Sequence, residues 1–176
     1  IPTRSGPGPD DPSSVVWVYH SHVYSPRDVN TGLVGALIVT RHGAARPDGT
    51  PRDVDREFVT LFMNFDETAS RFSLRNAGLL ETGGDEDLNR FHSINGYIFG
   101  NLPMPRMKVG ERVRWYLVAL GDDTHLHTPH WHGNTVLHEG RRTDVVELLP
   151  ASMKVADMRA DNPGIWMDHC HNLEHA

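Results

Sequence analysis

The chain has 176 residues, room for one ordinary domain or for one domain and part of another. Its net charge of −6 argues against nucleic acid or another polyanion as a partner, and no apolar run approaches membrane-spanning length. A single Cys excludes an internal disulfide framework, whereas twelve His, eight of them from His125 onward, direct attention to metals.

In chain order, the Gly/Pro-rich opening from Ile1 to Pro9 reads as a loop and carries no signal-peptide pattern. Val15-Val16-Trp17-Val18-Tyr19 is β-branched and aromatic, a strand by composition, and runs into His20-Ser21-His22. Gly32 to Thr40 is a nearly continuous apolar run, which predicts a strand buried on both faces. The polar stretch from Arg41 to Arg56, with Gly43, Pro47, Gly49 and Pro51, is the best linker candidate. Glu57 to Phe65 reads as the first strand of a new unit.

Asp66 to Arg90 is polar and only weakly helical in pattern, a long excursion, and Ile94-Asn95-Gly96-Tyr97 is a turn signal. Met107 to Leu120 predicts a strand, a turn at Gly110 and a second strand of alternating polarity. Arg142 to Pro150 and Met153 to Met158 predict two more. With no long helical period, the sum is an all-β chain, a Greek-key β-sandwich of short strands.

Three histidine clusters carry the chemistry. The last is His169-Cys170-His171 with His175 following. In a strand, neighbouring side chains point to opposite faces, so His169 and His171 look one way and Cys170 the other. One short strand can then serve two metal sites. His175 lies close enough to fold back beside Cys170. The second cluster, His125 to Gly133, repeats the spacing at His130 and His132, while His127 precedes a Pro-containing bend and can point elsewhere. The first is His20-Ser21-His22.

A single His-x-His on a strand is commonly no more than a solvated pair. Three copies in a short chain, one with Cys inserted, favour ligation. His42, His92, His125 and His138 lack such company and read as surface or packing histidines. Met63, Met104, Met107, Met153, Met158 and Met167 read as core or loop filler. Zinc needs only four ligands and its structural sites favour several Cys. Nine candidate ligands, with a thiolate among imidazoles, suit redox copper better.

These stretches resemble the multicopper oxidases, in particular the ceruloplasmin-like and two-domain laccase branch. The similarity rests on Trp17 to His22, Gly32 to Val39, His92 to Tyr97, His127 to Gly133, and His169-Cys170-His171 with His175. It implies cupredoxin domains: residues 1–46 the C-terminal part of a first, 47–56 a linker, and 57–176 most of a second whose last strand is missing. It implies copper as type 1, type 2 and type 3 centres. By motif, His127, Cys170 and His175 correspond to type 1 ligands and His130 to a type 2 ligand. His20, His22, His132, His169 and His171 correspond to type 3 ligands. Ser21 stands where a thiolate would be, so the first unit should hold no type 1 copper. The family's His-x-His-Gly pair is expected before residue 1, and an axial Met after His175.

The implied function is a laccase-like oxidase. Single electrons from phenols, aromatic amines or a reduced metal ion enter at Cys170 and pass to His169 and His171. Dioxygen is reduced to water at a trinuclear cluster. Cys170, His169 and His171 are thus the catalytic candidates, with Asp168 and Asp144 as candidate proton carriers. The alternative is a non-catalytic copper-binding or electron-transfer module. A copper nitrite reductase is disfavoured by Ser21. The resemblance also implies a homotrimer, with His20 and His22 facing a neighbour's histidines, and an extracytoplasmic location.

Overall fold

The computed structural model describes residues 3–80, 89–121 and 126–175; His125 lies outside them. Ten strands and two short helices are present among the described residues: β1 Ser14–His20, α1 Ser25–Val29, β2 Val34–Thr40, β3 Arg56–Asp66, α2 Ser73–Leu80, β4 Arg90–Ile94, β5 Arg112–Leu120, β6 Pro129–Trp131, β7 Val136–His138, β8 Arg141–Thr143, β9 Met153–Arg159 and β10 Asp168–Cys170. They form three layers. A six-stranded sheet, ordered β4-β3-β5-β9-β7-β8, lies between the β1–β2 hairpin and the β6–β10 pair.

The middle sheet turns on β5, which pairs parallel to β3 and antiparallel to β9. Residues of β5 alternate between two apolar cores. Val113, Trp115, Leu117 and Ala119 face one core with Phe62, Trp131, Leu148, Met158 and Cys170. Tyr116 and Val118 face the other, against Val16 and the flanking Val18, Ala36 and Ile38. The site strands β6 and β10 therefore ride on the first core, and β1 on the second. The all-β cupredoxin-like sandwich is the observed fold.

Several local expectations change. β5 is not a half-exposed strand, because both its neighbours and both faces are covered. Its apparent polar alternation comes from Arg114, whose side chain is only 2% exposed. Met107 to Val109 forms no strand; the chain enters β5 through a turn at Gly110, whose φ of 92° suits glycine. β2 is covered on one face only, since Leu37 is 43% exposed on the outer side with Trp17 paired opposite it. The segment from Arg142 to Pro150 contributes only the short β8, followed by two isolated bridges. The turn at Asn95-Gly96 is present, with both residues at positive φ.

Arg114 ties three separate segments together. Its guanidinium donates to Asp157 at 2.7 Å through two nitrogens, to Asp53 at 3.1 Å, and to the Ser13 and Ser14 hydroxyls at 2.8 Å. It joins the start of β1, the stretch before β3, and β9. Such a buried cation is stable only while these acceptors remain. Replacing Arg114 by Met should lower unfolding stability by roughly 2–3 kcal/mol, less than the full buried-pair cost because Asp53 and Asp157 are 46% and 37% exposed. Urea unfolding of the variant tests this.

At the β3–β5 entrance, the Arg56 side chain and then the Lys108 amide hold the Glu111 carboxyl at about 2. The Arg112 side chain and amide hold Asp55 at about 2 as well. Both carboxyls bind fewer protons folded than unfolded. Their contribution is therefore complete above their ordinary values of 4.5 and 3.8 and is lost as pH falls toward 2. Melting temperature measured against pH should fall less steeply below about pH 4 in Glu111→Gln than in the parent.

Candidate metal centres

β10 pairs antiparallel with β6, placing His169 opposite His130, Cys170 opposite Pro129 and Asp168 opposite Trp131. Strand alternation then sorts their side chains. His130 and His169 share the outer face, while Trp131, Cys170 and Asp168 turn toward the core. The backbone keeps the two faces in fixed register, and the His171 amide donates to the Thr128 carbonyl at 2.9 Å to extend the pairing.

On the core side, His127, Cys170 and His175 bring one ligand atom each to within 4.8 Å of one another. His127 is 3% exposed and held by paired backbone bonds with Leu148. Its ring lies 4.8 Å from that of His175, which a 3₁₀ turn over Leu173–His175 folds back toward the strand. The Cys170 Sγ to His175 Nδ1 distance is 3.6 Å. Ligands at ~2.0 Å (nitrogen) and ~2.3 Å (sulfur) from one ion, near the tetrahedral angle, stand about that far apart. The Thr128 amide donates to the sulfur at 3.3 Å, which fixes its position beside the two imidazoles. The residues fit a metal bound by two imidazoles and a thiolate.

On the outer side, His130, His132 and His169 form a second group within the same limit, and the His171 ring lies 4.7 Å from that of His130. His132 Nε2 and His169 Nε2 are 2.9 Å apart, and His130 Nδ1 is 3.3 Å from the same His169 nitrogen. Nitrogens this close must share a proton or a cation. His169 is turned by the bond between its Nδ1 and the Cys170 carbonyl, 2.8 Å. Burial lowers its pKa and neighbouring imidazoles add to that, so the neutral, ligating form is favoured. His132 and His171 are exposed, leaving the cluster open to further ligands.

His20 and His22 do not join either group within this chain. Their rings lie 5.4 Å apart at the end of β1. The two carboxylates noted in the sequence part company. Asp144 approaches His130 Nε2 at 3.5 Å, whereas Asp168 points to the core, where its Oδ1 has no hydrogen bond among the described residues and burial raises its pKa to about 7. Asp168 therefore stands on the sulfur side of β10, away from the imidazole face. His138 is a packing residue, its Nδ1 2.8 Å from the Val155 carbonyl.

Two contacts were not readable from spacing. His92 stacks on His175 with ring centroids 4.0 Å apart, and its Nδ1 is 2.6 Å from Asn64 Oδ1. Its place in the turn-bearing His92 to Tyr97 stretch was the only signal. Gly133, directly after His132, has a φ of 64°, and a Cβ there would lie 2.8 Å from the Trp166 ring. Trp166 Nε1 in turn donates to the Asn162 carbonyl, and Asn162 to the Gly133 carbonyl.

A cupredoxin-type sandwich carrying a buried Cys-His-His group back to back with an imidazole cluster defines a copper-protein class. Residues 71–176 match the profile of the multicopper oxidases. The chain is 40% identical over 194 residues to hephaestin of Mus musculus and 41% identical over 179 residues to Ferroxidase HEPHL1 of Homo sapiens. These matches cover 99% and 96% of this chain but only 16% and 15% of the relatives. A solved blue copper oxidase from Nitrosomonas europaea superposes with a TM-score of 0.66 at 24% identity, covering 92% of this chain and 50% of that one. This chain belongs to the multicopper oxidase family, whose members use copper at type 1, type 2 and type 3 sites. No helix among the described residues is long and apolar enough to cross a membrane. The expected homotrimer gains no support from relatives in which the matching stretch is a small part of one long polypeptide.

Gly133→Ala should cost roughly 1–3 kcal/mol from backbone strain and the clash with Trp166. Tryptophan fluorescence should report a displaced Trp166 before any metal is added.

Proposed function

We propose that this chain holds the electron-entry site and part of the oxygen-reducing site of a copper-dependent oxidase. The observation that carries the reading is β10, whose three residues place Cys170 with His127 and His175 on one face and His169 with His130 and His132 on the other. His127, Cys170 and His175 would hold a type 1 copper. His130 would serve a type 2 ion, and His132, His169 and His171, with His20 and His22, type 3 ions. Bound copper supplies one-electron chemistry at the sulfur and the reduction of dioxygen to water at the imidazole cluster.

The chain's own part is connection and orientation. From the Cys170 sulfur, the side chain and carbonyl carbon lead to an oxygen 2.8 Å from His169 Nδ1. In the other direction, the peptide bond leads directly to His171. Thr128 holds the sulfur and Asp144 faces the far nitrogen of His130. Such outer contacts set ligand orientation and potential. On the opposite side, His92 is exposed and stacked on His175, offering an approach for the reductant.

Among reductants, we favour ferrous iron over phenols, because one of the similar proteins is named a ferroxidase. We keep an extracytoplasmic location as part of this reading. Since His20 and His22 stand apart from the cluster, another cupredoxin unit, in the same polypeptide or a neighbouring one, would complete it.

Copper-loaded full-length protein, with the completing unit present, should show both a blue thiolate absorption and a near-ultraviolet band from paired imidazole-bound copper. Cys170→Ser should remove the blue band and oxidase turnover together. A blue band without the near-ultraviolet one would instead mark an electron-transfer module. Turnover retained by Cys170→Ser would refute the assignment. Oxygen consumption should be faster with ferrous iron than with a phenol; the reverse order would return the laccase reading.

A further inference from the structure

The two His-x-His triplets that differ at their central residue are built to the same geometry. In one, the His20 and His22 rings lie 5.4 Å apart at 32°; in the other, the His169 and His171 rings lie 5.5 Å apart at 32°. Each first histidine is turned by the same bond. His20 Nδ1 is 2.9 Å from the Ser21 carbonyl, and His169 Nδ1 is 2.8 Å from the Cys170 carbonyl. In both cases this contact occupies Nδ1 and leaves Nε2 as the available ligand atom.

The anchoring of the central residue differs. Cys170 sits in an apolar core and pairs with two imidazoles, so a metal can fix it from behind. Ser21 offers no thiolate. Its hydroxyl instead donates to Asp28 Oδ2 at 2.5 Å. The Asp28 side chain is 4% exposed, and its other oxygen accepts from Arg71 Nε at 2.6 Å. Asp28 is further fixed through its backbone, since its carbonyl accepts from the amides of Thr31 and Leu33, and the Ser21 amide donates to the Leu33 carbonyl. Arg71 arrives from beyond β3, and its own amide donates to the Thr31 hydroxyl. The Asp66 amide, at the end of β3, donates to the Asn30 side chain at 2.9 Å. The loop behind His20 and His22 is thus fastened to the segment that follows β3.

We propose that Ser21, Asp28 and Arg71 form a metal-free anchor that presets His20 and His22 for copper, in place of the thiolate anchor behind His169 and His171. Asp28 is the positioning residue. Its carboxylate orients the central residue of the triplet without touching the metal, and Arg71 cancels the cost of burying that charge. The role rests on the proposed function, in that His20 and His22 must bind copper at all.

The test uses the full-length protein with Asp28→Ala, Asp28→Asn, Ser21→Ala and His20→Ala, read by copper titration against the near-ultraviolet type 3 band. The blue band of the Cys170 site serves as an internal control. Ser21→Ala, which removes only a hydroxyl, should keep the fold and the blue band while weakening type 3 copper binding by roughly 10–100-fold. Asp28→Ala should do the same or worse, and Asp28→Asn, which keeps an acceptor for Ser21, should recover part of the loss. Unchanged type 3 affinity in Ser21→Ala and Asp28→Ala, where His20→Ala has lost it, would overturn the anchor alone. An unchanged band in His20→Ala would overturn both the anchor and the ligand role of the pair.

Discussion

Everything in the metal region depends on the pairing of β10 with β6. Each strand has only three residues, so neither carries enough apolar surface to be stable alone. They are held because Trp131 and Cys170 are planted in the same core as Trp115 and Leu117. Once those two side chains are buried, the pleat leaves His130 and His169 no choice but the opposite face. The separation of a thiolate site from an imidazole site is therefore a consequence of burial, with strand geometry as the ruler. Two functions are kept a single residue apart, close enough for bonded connection.

The middle sheet supplies rigidity to both sides. β5 is covered on each face and paired on each edge, so a disturbance in one core is felt in the other. Arg114 gives that sheet its polar fastening to the start of β1, and Arg71 fastens the loop after β1 to the stretch after β3. The first hairpin is thereby tied to the rest by burial, by a buried cation and by a second ion pair. Its His20 and His22 are held in a set orientation but remain apart from the other histidines.

The ligand pattern was readable from sequence because Cys and clustered His are chemically uncommon, and strand alternation converts their spacing directly into faces. The longer strands β1, β3 and β9 were readable for the ordinary reason that their composition extends over seven residues or more. What spacing could not show is set by tertiary contact. β7 and β8 are too short to carry a period. Arg114 looks like a surface residue until its acceptors, distant in sequence, are seen. Asp168 looks like a neighbour of the His169 site because adjacency in sequence conceals the change of face. The apolar run of β2 implied two buried faces, whereas in this fold only one is covered.

The most direct test of the account is X-ray absorption at the copper edge on protein loaded with a single equivalent of copper. The arrangement of His127, Cys170 and His175 predicts a first shell containing one short sulfur scatterer together with imidazole nitrogens. A first shell of nitrogen and oxygen only, in protein whose Cys170 is reduced and intact, would contradict it.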